Sequence, residues 1–324
     1  MRLVSWWVRR LVSAVLTLFV VSVLIFAASR LMPGGFAEVV LGPFATPEQR
    51  AAMSEKYGLD QSLFAQYGLW LSAALHGDLG TSLLSGEPVA GEFGLRIPVT
   101  VELTLLGIGA AVLIGVPLGV YTAVRAGKRG GGALGRLAGG LGVSVPEFVL
   151  GSLVVFVFSR YALGLTVGGY RPLGEDLGAN LRSMVLPAAV LSVFAIAVTA
   201  RTTRDAVMNV LVEPYITASV ARGETPLFII GRHVLRNASI PILVVLTSTT
   251  AYLLGGAVIV EHLFNLPGVG SYVVQAVGRR DYAVVQAGVL LAAVVFVVLN
   301  MLSDAASGVL DPRFGTSAGG KANR

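Results

Sequence analysis

The chain has 324 residues, of which 55% are hydrophobic and only 13% charged, with a mean hydropathy of +0.78. A soluble domain carries about 25% charged residues, so this is the composition of a membrane protein. The net charge of +6 comes from basic residues lying between apolar runs rather than on one surface, which points to orientation in a bilayer and not to nucleic acid. The absence of cysteine excludes a disulfide frame, a thiol nucleophile and thiolate metal sites.

The N-terminal MRLVSWWVRR leads into an apolar run over 11–29. It has the outline of a signal peptide, but the run is longer than a signal core, and no small-x-small cleavage site followed by a soluble domain is evident. It reads as a retained first span. About 20 apolar residues cross ~30 Å of hydrocarbon. Runs at 103–124, 183–200, 237–260 and 282–303 qualify. A further run at 137–159 is interrupted by Glu147, just after Pro146, and its bounds are the least defined. The expected fold class is therefore all-α, a polytopic membrane protein with six transmembrane helices.

Six spans place both ends on one side. With the N-terminus inside, 15 of the 24 basic residues fall in inside segments. The short loop 125–136, with Arg125, Lys128, Arg129 and Arg136, carries only positive charge. The bias predicts an N-in, C-in orientation.

Segment 31–98 is the one substantial extramembrane region. Thr46-Pro47-Glu48 reads as a helix start, with proline at the first helical position, and Tyr57-Gly58 as a stop. Leu63, Tyr67, Trp70, Leu71 and Leu75 then recur at helical spacing. This predicts a small helical pair that caps the membrane part, and it also suits an outer docking surface.

In the second span Gly107, Ala111, Gly115 and Gly119 fall on one face, a stripe that lets helix backbones approach closely in lipid. Glu102 and Glu147 are the acids nearest membrane depth. Glu102 is close enough to its span's outer end to reach the interface, and Glu147 sits at a boundary or a broken turn. An acid at such depth is by default a functional candidate. The fifth span carries Thr247, Ser248, Thr249, Thr250 and Tyr252. Their hydroxyls can bond their own backbone, bridge helices or line a wet pathway. Glu102, Glu147, Thr247, Thr250 and Tyr252 are the pathway candidates. His76, His233 and His262 have no partner at metal-ligand spacing, so no metal site is expected.

Between the fourth and fifth spans lies EPYITASVARGETPLFIIGRHVLRNASIP, residues 213–241. Glu213-Pro214 opens a short helix and Gly223 closes it. Ala218, Ala221 and Arg222 share one face. Such a small face rimmed with charge suits a groove on another protein, or else a connector lying on the membrane surface. Thr225-Pro226 opens a second helix, which carries Arg232, His233 and Arg236 down to Pro241.

ASVARG (218–223) followed by RHVLRNASIP (232–241) resembles the cytoplasmic "EAA" loop of ABC importer membrane subunits, in particular the peptide permease family, whose loop reads TARAKG and then RHALRNALLP. Further strings agree in order along the chain: YGLDQSLFAQY (57–67), HGDLGTS (76–82), IPVTVELTL (97–105), VPEFVLG (145–151), LPAAVL (186–191), VEHLFNLPGVG (260–270), RRDYAVVQA (279–287) and LDPRFG (310–315). The chain resembles the first of the two membrane subunits of a dipeptide/oligopeptide importer. It departs from the pattern at Ser219, Val220 and Glu224.

The resemblance implies a type I importer transmembrane domain. It implies a first helix plus external segment over 1–98, a five-helix core over 99–304 with a coupling loop at 205–236, and a cytoplasmic tail over 305–324. Residues 214–226 would be the coupling helix. Glu213, Pro214, Ala218, Ala221, Arg222, Gly223, Glu224, Arg232, His233 and Arg236 would form the ATPase-coupling set, with Asn237 helping to fix the helix that follows. Implied partners are a second homologous permease subunit, two ATP-binding subunits or one fused ATPase chain, an external substrate-binding protein and membrane lipid. No phosphate-cradling GxxxxGK[ST] string is present, so ATP and Mg are expected on the partner subunits and no cofactor on this chain. A secondary transporter would need more ionisable groups near the midplane. An intramembrane enzyme would need a nucleophile with its base or a metal set. A scaffold that docks a soluble partner through the same loop, or an importer of nickel complexes, glutathione or sugars, stays open.

Overall fold

A computed structural model describes residues 2–31, 45–56, 60–126, 142–161 and 164–310, together with Leu41 and Gly140. Among the described residues the chain is helical, and five helices are long and apolar enough to cross a membrane: Ser5–Leu31, Val89–Val124, Leu177–Leu211, Pro226–Leu263 and Tyr282–Ala305. In chain order the elements are α1 (Arg2–Leu31), α2 (Pro47–Lys56), α3 (Leu63–Leu75), α4 (Val89–Val124), α5 (Glu147–Tyr161), α6 (Leu177–Leu211), α7 (Pro214–Ala221), α8 (Pro226–Leu263), α9 (Val269–Arg279) and α10 (Tyr282–Leu310).

The third apolar run is interrupted, as its sequence predicts. Residues 142–144 are helical, the chain breaks at Val145-Pro146, and α5 restarts at Glu147. Proline cannot donate the hydrogen bond that would carry a helix through this point, and it pushes the residue before it out of the helical region. Residues 127–136 of the basic loop 125–136, residues 137–139 of the third run, the Tyr57-Gly58 stop and the tail from 311 onward, with Arg313, Lys321 and Arg324, lie outside the described residues.

The chain divides into two compact units. One comprises Met1–Pro98 with Pro267–Val297. Its α2 begins with the expected cap: Gln49 N donates to Thr46 Oγ1 at 3.3 Å, and Thr46 N donates to Gln49 Oε1 at 2.9 Å. That reciprocal pair is a capping box. Helix α3 faces α1 through Tyr67, whose hydroxyl lies 2.8 Å from Ser22 Oγ and whose ring meets Phe26 edge-on at 5.4 Å. Val89, Phe93, Ala276, Val284 and Ala287 form a further buried cluster. Beside it the buried Ser82 hydroxyl donates to Asp281 Oδ2 at 2.6 Å. Arg96 stacks over the Tyr272 ring at 4.2 Å and pairs with Glu92 at 2.6 Å.

The second unit comprises Val99–Leu266 with the described residues from Val298 onward. Its α4 lies against α6 along the glycine stripe. A methyl group at Gly115 would come within 3.0 Å of the Ile196 carbonyl, and one at Gly119 would sit 2.5 Å from Thr203 Cβ. The stripe is therefore a close backbone contact, the packing that lipid-embedded helices favour. Helix α4 also makes one π turn at Ala111–Gly115, just before Pro117. Such a turn lets the helix absorb backbone groups that proline leaves without their usual partners. Two apolar cores result. One holds Leu103, Met184, Leu191, Leu253, Val260 and Phe264, and the other holds Val207, Ile216, Ile229, Val234 and Ile242.

Helix α8 differs from its sequence reading. The sequence suggested a helix ending near Pro241 and a separate span from 237. Instead α8 runs unbroken from Pro226 to Leu263, with Pro241 inside it. At 1.5 Å per residue its 38 residues reach about 57 Å, well beyond the ~30 Å of hydrocarbon. It carries a second π turn at Ile229–Val234.

Candidate functional site

The short helix α7 is built as its punctuation predicts. Glu213 precedes it in an extended conformation and Pro214 takes the first helical position, where no hydrogen bond is lost. At its far end Gly223 has φ +79°, the left-handed region that glycine enters most easily. Gly223 N donates to Val220 O at 2.9 Å and Glu224 N to Ser219 O at 3.3 Å. These two bonds are the Schellman pair that ends a helix cleanly.

One face of α7 is buried and the other is not. Ile216 and Ser219 point inward, and Ile216 joins the core of Val207, Ile229, Val234 and Ile242. Ala218, Ala221 and Arg222 are exposed, as their shared spacing predicts. The helix is thus held to α8 from beneath while its outer face is open.

Four polar side chains brace the turn between α7 and α8. Arg222 donates to Glu224 Oε1 from Nη2 at 2.7 Å and from Nε at 3.0 Å. Its Nη2 also donates to Ser219 Oγ at 2.7 Å. His233, on α8, places Nε2 3.1 Å from Glu224 Oε2. The Arg222 guanidinium, helped by His233 and Ser219, holds the Glu224 carboxyl below the usual carboxylate range. Ser219 and Glu224, two of the departures from the family pattern, are members of this brace. Arg232, Arg236 and Asn237 are exposed, and Asn237 Nδ2 donates to His233 O at 2.7 Å. Of the residues expected to fix the following helix, His233 is the one tied to the loop.

The pathway candidates separate into groups. Thr247 and Thr250 donate to the carbonyls of Leu243 and Leu246 at 2.8 Å each, within α8 itself. Tyr252 lies against Phe194 with ring centroids 4.2 Å apart. Glu147, at the start of α5, lies over Gly256, where any Cβ would run into its carboxylate. Gly256 is seven residues before the end of α8, about 10 Å along the helix axis. Glu147 therefore belongs to the broken turn rather than to the end of a span. Glu102 Oε2 accepts from the Tyr170 hydroxyl at 3.0 Å. Burial and this carboxylate together push the Tyr170 phenol up to about 12.

Sequence reasoning missed Glu261. It is fully buried near the end of α8, where Thr100 Oγ1 donates to its Oε1 at 2.6 Å. It lies one residue past the charge-free run 237–260, so a search of those runs passes it by, although its place within VEHLFNLPGVG was a signal.

Comparison with known proteins resolves the family. The model for "binding-protein-dependent transport system inner membrane component" matches residues 115–316, and the model for that family's N-terminal part matches residues 3–104. The chain belongs to this family. A probable peptide ABC transporter permease from Sinorhizobium fredii is 37% identical over 305 residues, 94% of this permease and 97% of the relative. The glutathione transport system permease of Escherichia coli (strain K12) is 34% identical over 310 residues, 96% and 98% of the two chains. Two solved structures share the fold. The inward-facing MetNI methionine ABC transporter gives a TM-score of 0.53 at 22% identity, covering 68% of this permease and 96% of that chain. An amino acid ABC transporter solved with histidines gives 0.51 at 16% identity, covering 74% and 98%.

The permease is accordingly a multi-pass inner-membrane protein of the type I ABC class, a membrane subunit that works with partner ATPase and permease components.

Proposed function

We propose that this permease forms one half of a pathway that carries di- and oligopeptides inward. A second homologous subunit forms the other half, and two ATP-binding subunits, or one fused ATPase chain, hold the ATP and Mg. An external binding protein delivers the substrate. The N-terminus and C-terminus lie inside. Helix α7 is the coupling helix, with Glu213, Pro214, Ala218, Ala221, Arg222, Gly223, Glu224, Arg232, His233 and Arg236 around it. Residues 1–98 form the first span with its external segment, 99–304 the five-helix core and 305–324 the tail. Glu102, Glu147, Thr247, Thr250 and Tyr252 contribute polar groups to the pathway.

The observation that carries this reading is the build of α7. It is a capped, eight-residue helix with an open outer face, clamped through Ile216 to the base of a helix that continues without interruption across the membrane. A displacement of α7 is therefore a displacement of α8. An ATPase pair that binds α7 differently in its open and closed states biases the membrane helices between two arrangements.

Peptide is favoured as substrate by the relative at 37% identity. The glutathione relative at 34% favours a narrower reading, in which the cargo is a small thiol-bearing peptide. Uptake by the reconstituted transporter, measured with a labelled tripeptide against unlabelled competitors, separates the two. Competition by di- to pentapeptides of varied sequence supports the broad peptide reading. Competition by glutathione alone replaces it with the narrower one, and competition by neither removes peptide from the assignment.

A further inference from the structure

Between Tyr215 and Gly231 the only charged side chains are Arg222 and Glu224, and they bind each other. The large apolar side chains around them are open: Tyr215 is 41% exposed, Val220 61%, Leu227 84% and Phe228 50%. A free guanidinium in the middle of such a face would present a rigid fork suited to a carboxylate on another protein. Here the Nε and Nη2 edge of that fork is occupied from within, while the side chain stays 58% exposed. Two of its N–H groups point at Glu224 Oε1, and one of those nitrogens also reaches Ser219 Oγ. Ser219 is itself buried, and the second oxygen of Glu224 is held at His233 on α8. The carboxylate is thus fixed from both helices and cannot easily swing away with the arginine.

We infer that Glu224 withdraws Arg222 from intermolecular contact, so that α7 offers its ATPase partner an apolar, charge-neutral tip, and that the groove receiving it is lined by apolar rather than acidic side chains. This rests on the assignment of α7 as the coupling helix. The same apolar set could instead lie on the bilayer surface, but an anionic membrane favours free cations. A cation neutralised from within suits a protein groove better. Glu224 is a positioning residue: it acts through Arg222 and touches no substrate.

The test uses the assembled transporter with its ATPase subunits. The chain has no cysteine, so Val220→Cys supplies its only thiol. Cross-linking of that thiol to an ATPase chain is the expected result. A thiol shielded by lipid that never cross-links overturns both the inference and the coupling assignment. Where cross-linking succeeds, retention of the ATPase subunits is measured from about 0.1 M to about 1 M salt, over which the screening length falls from about 10 Å to about 3 Å. The inference predicts the same salt dependence, within about twofold, for the unaltered protein and for Arg222→Gln, and a steep fall that Arg222→Gln removes means that Arg222 pairs across the interface and overturns the inference alone. Glu224→Gln is expected to weaken retention by about tenfold, because it leaves Arg222 charged and unpaired at a desolvating contact. Adding Arg222→Gln to that variant is expected to restore most of the loss. If Arg222→Gln alone is as damaging as Glu224→Gln and the double variant recovers nothing, the arginine engages the partner directly and the inference fails.

Discussion

Single glycines show why small residues are not interchangeable in this chain. At Gly119 the constraint is space, since a Cβ would lie 2.5 Å from Thr203 Cβ and 2.6 Å from the Ala200 carbonyl. Backbone cannot yield as a flexible side chain can. Gly119→Val is therefore expected to force α4 from α6 and to destabilise the protein by about 1–3 kcal/mol, the usual range for overpacking. The check is a lowered Tm of the detergent-solubilised protein. At Gly223 the constraint is conformation, since φ is +79° and nothing lies within 4 Å of an added Cβ. Alanine there meets no clash and costs about 1–2 kcal/mol for the left-handed backbone alone. An unchanged Tm for Gly119→Val would mean that α4 and α6 do not pack along this stripe.

In the proposed mechanism the transmission runs through whole elements. Helix α7 is tied to α8 by a buried face, by the Schellman turn at Gly223 and by the brace of Ser219, Arg222, Glu224 and His233. Proline at 223 cannot adopt the observed φ and removes the N–H that bonds Val220 O. Gly223→Pro is thus expected to leave the protein in the membrane and ATP hydrolysis running, while uptake per ATP falls by about tenfold or more. Arg222→Glu sets two carboxylates together in place of a pair and should act in the same direction. Uptake and hydrolysis measured in the same vesicles check both, and normal coupling in both variants would contradict the role given to α7. Much of this element was legible in advance. Pro214 and Gly223 mark its ends because proline and glycine act through local backbone geometry, which does not depend on distant contacts. The brace was not legible, because it needs Glu224 to reach nine residues along to His233 around a turn whose path no periodicity specifies. The length of α8 was misread for a related reason: Pro241 signals a helix end in water, whereas a lipid-embedded helix tolerates it.

At the scale of the whole molecule, the composition alone set the membrane class, and the charge-free runs located the five long spanning helices to within a few residues at several ends and far less closely at Val89, Leu211 and Pro226. Acids at depth were harder to place. Glu147 and Glu261 take their meaning from helices that approach them from elsewhere in the chain, through Gly256 and Thr100 respectively. As a permease of the ABC family, the chain works with ATPase activity that lies on partner subunits. The central claim is that this permease moves its solute only when an ATPase drives α7. The most direct test is to purify the chain in mild detergent with whatever subunits accompany it, reconstitute the preparation, and measure uptake with and without ATP. The expected result is co-purification of a second membrane subunit and ATPase chains, with uptake that stops when ATP is withheld. A chain that purifies alone and still moves solute without ATP would contradict the account and make the permease a secondary carrier.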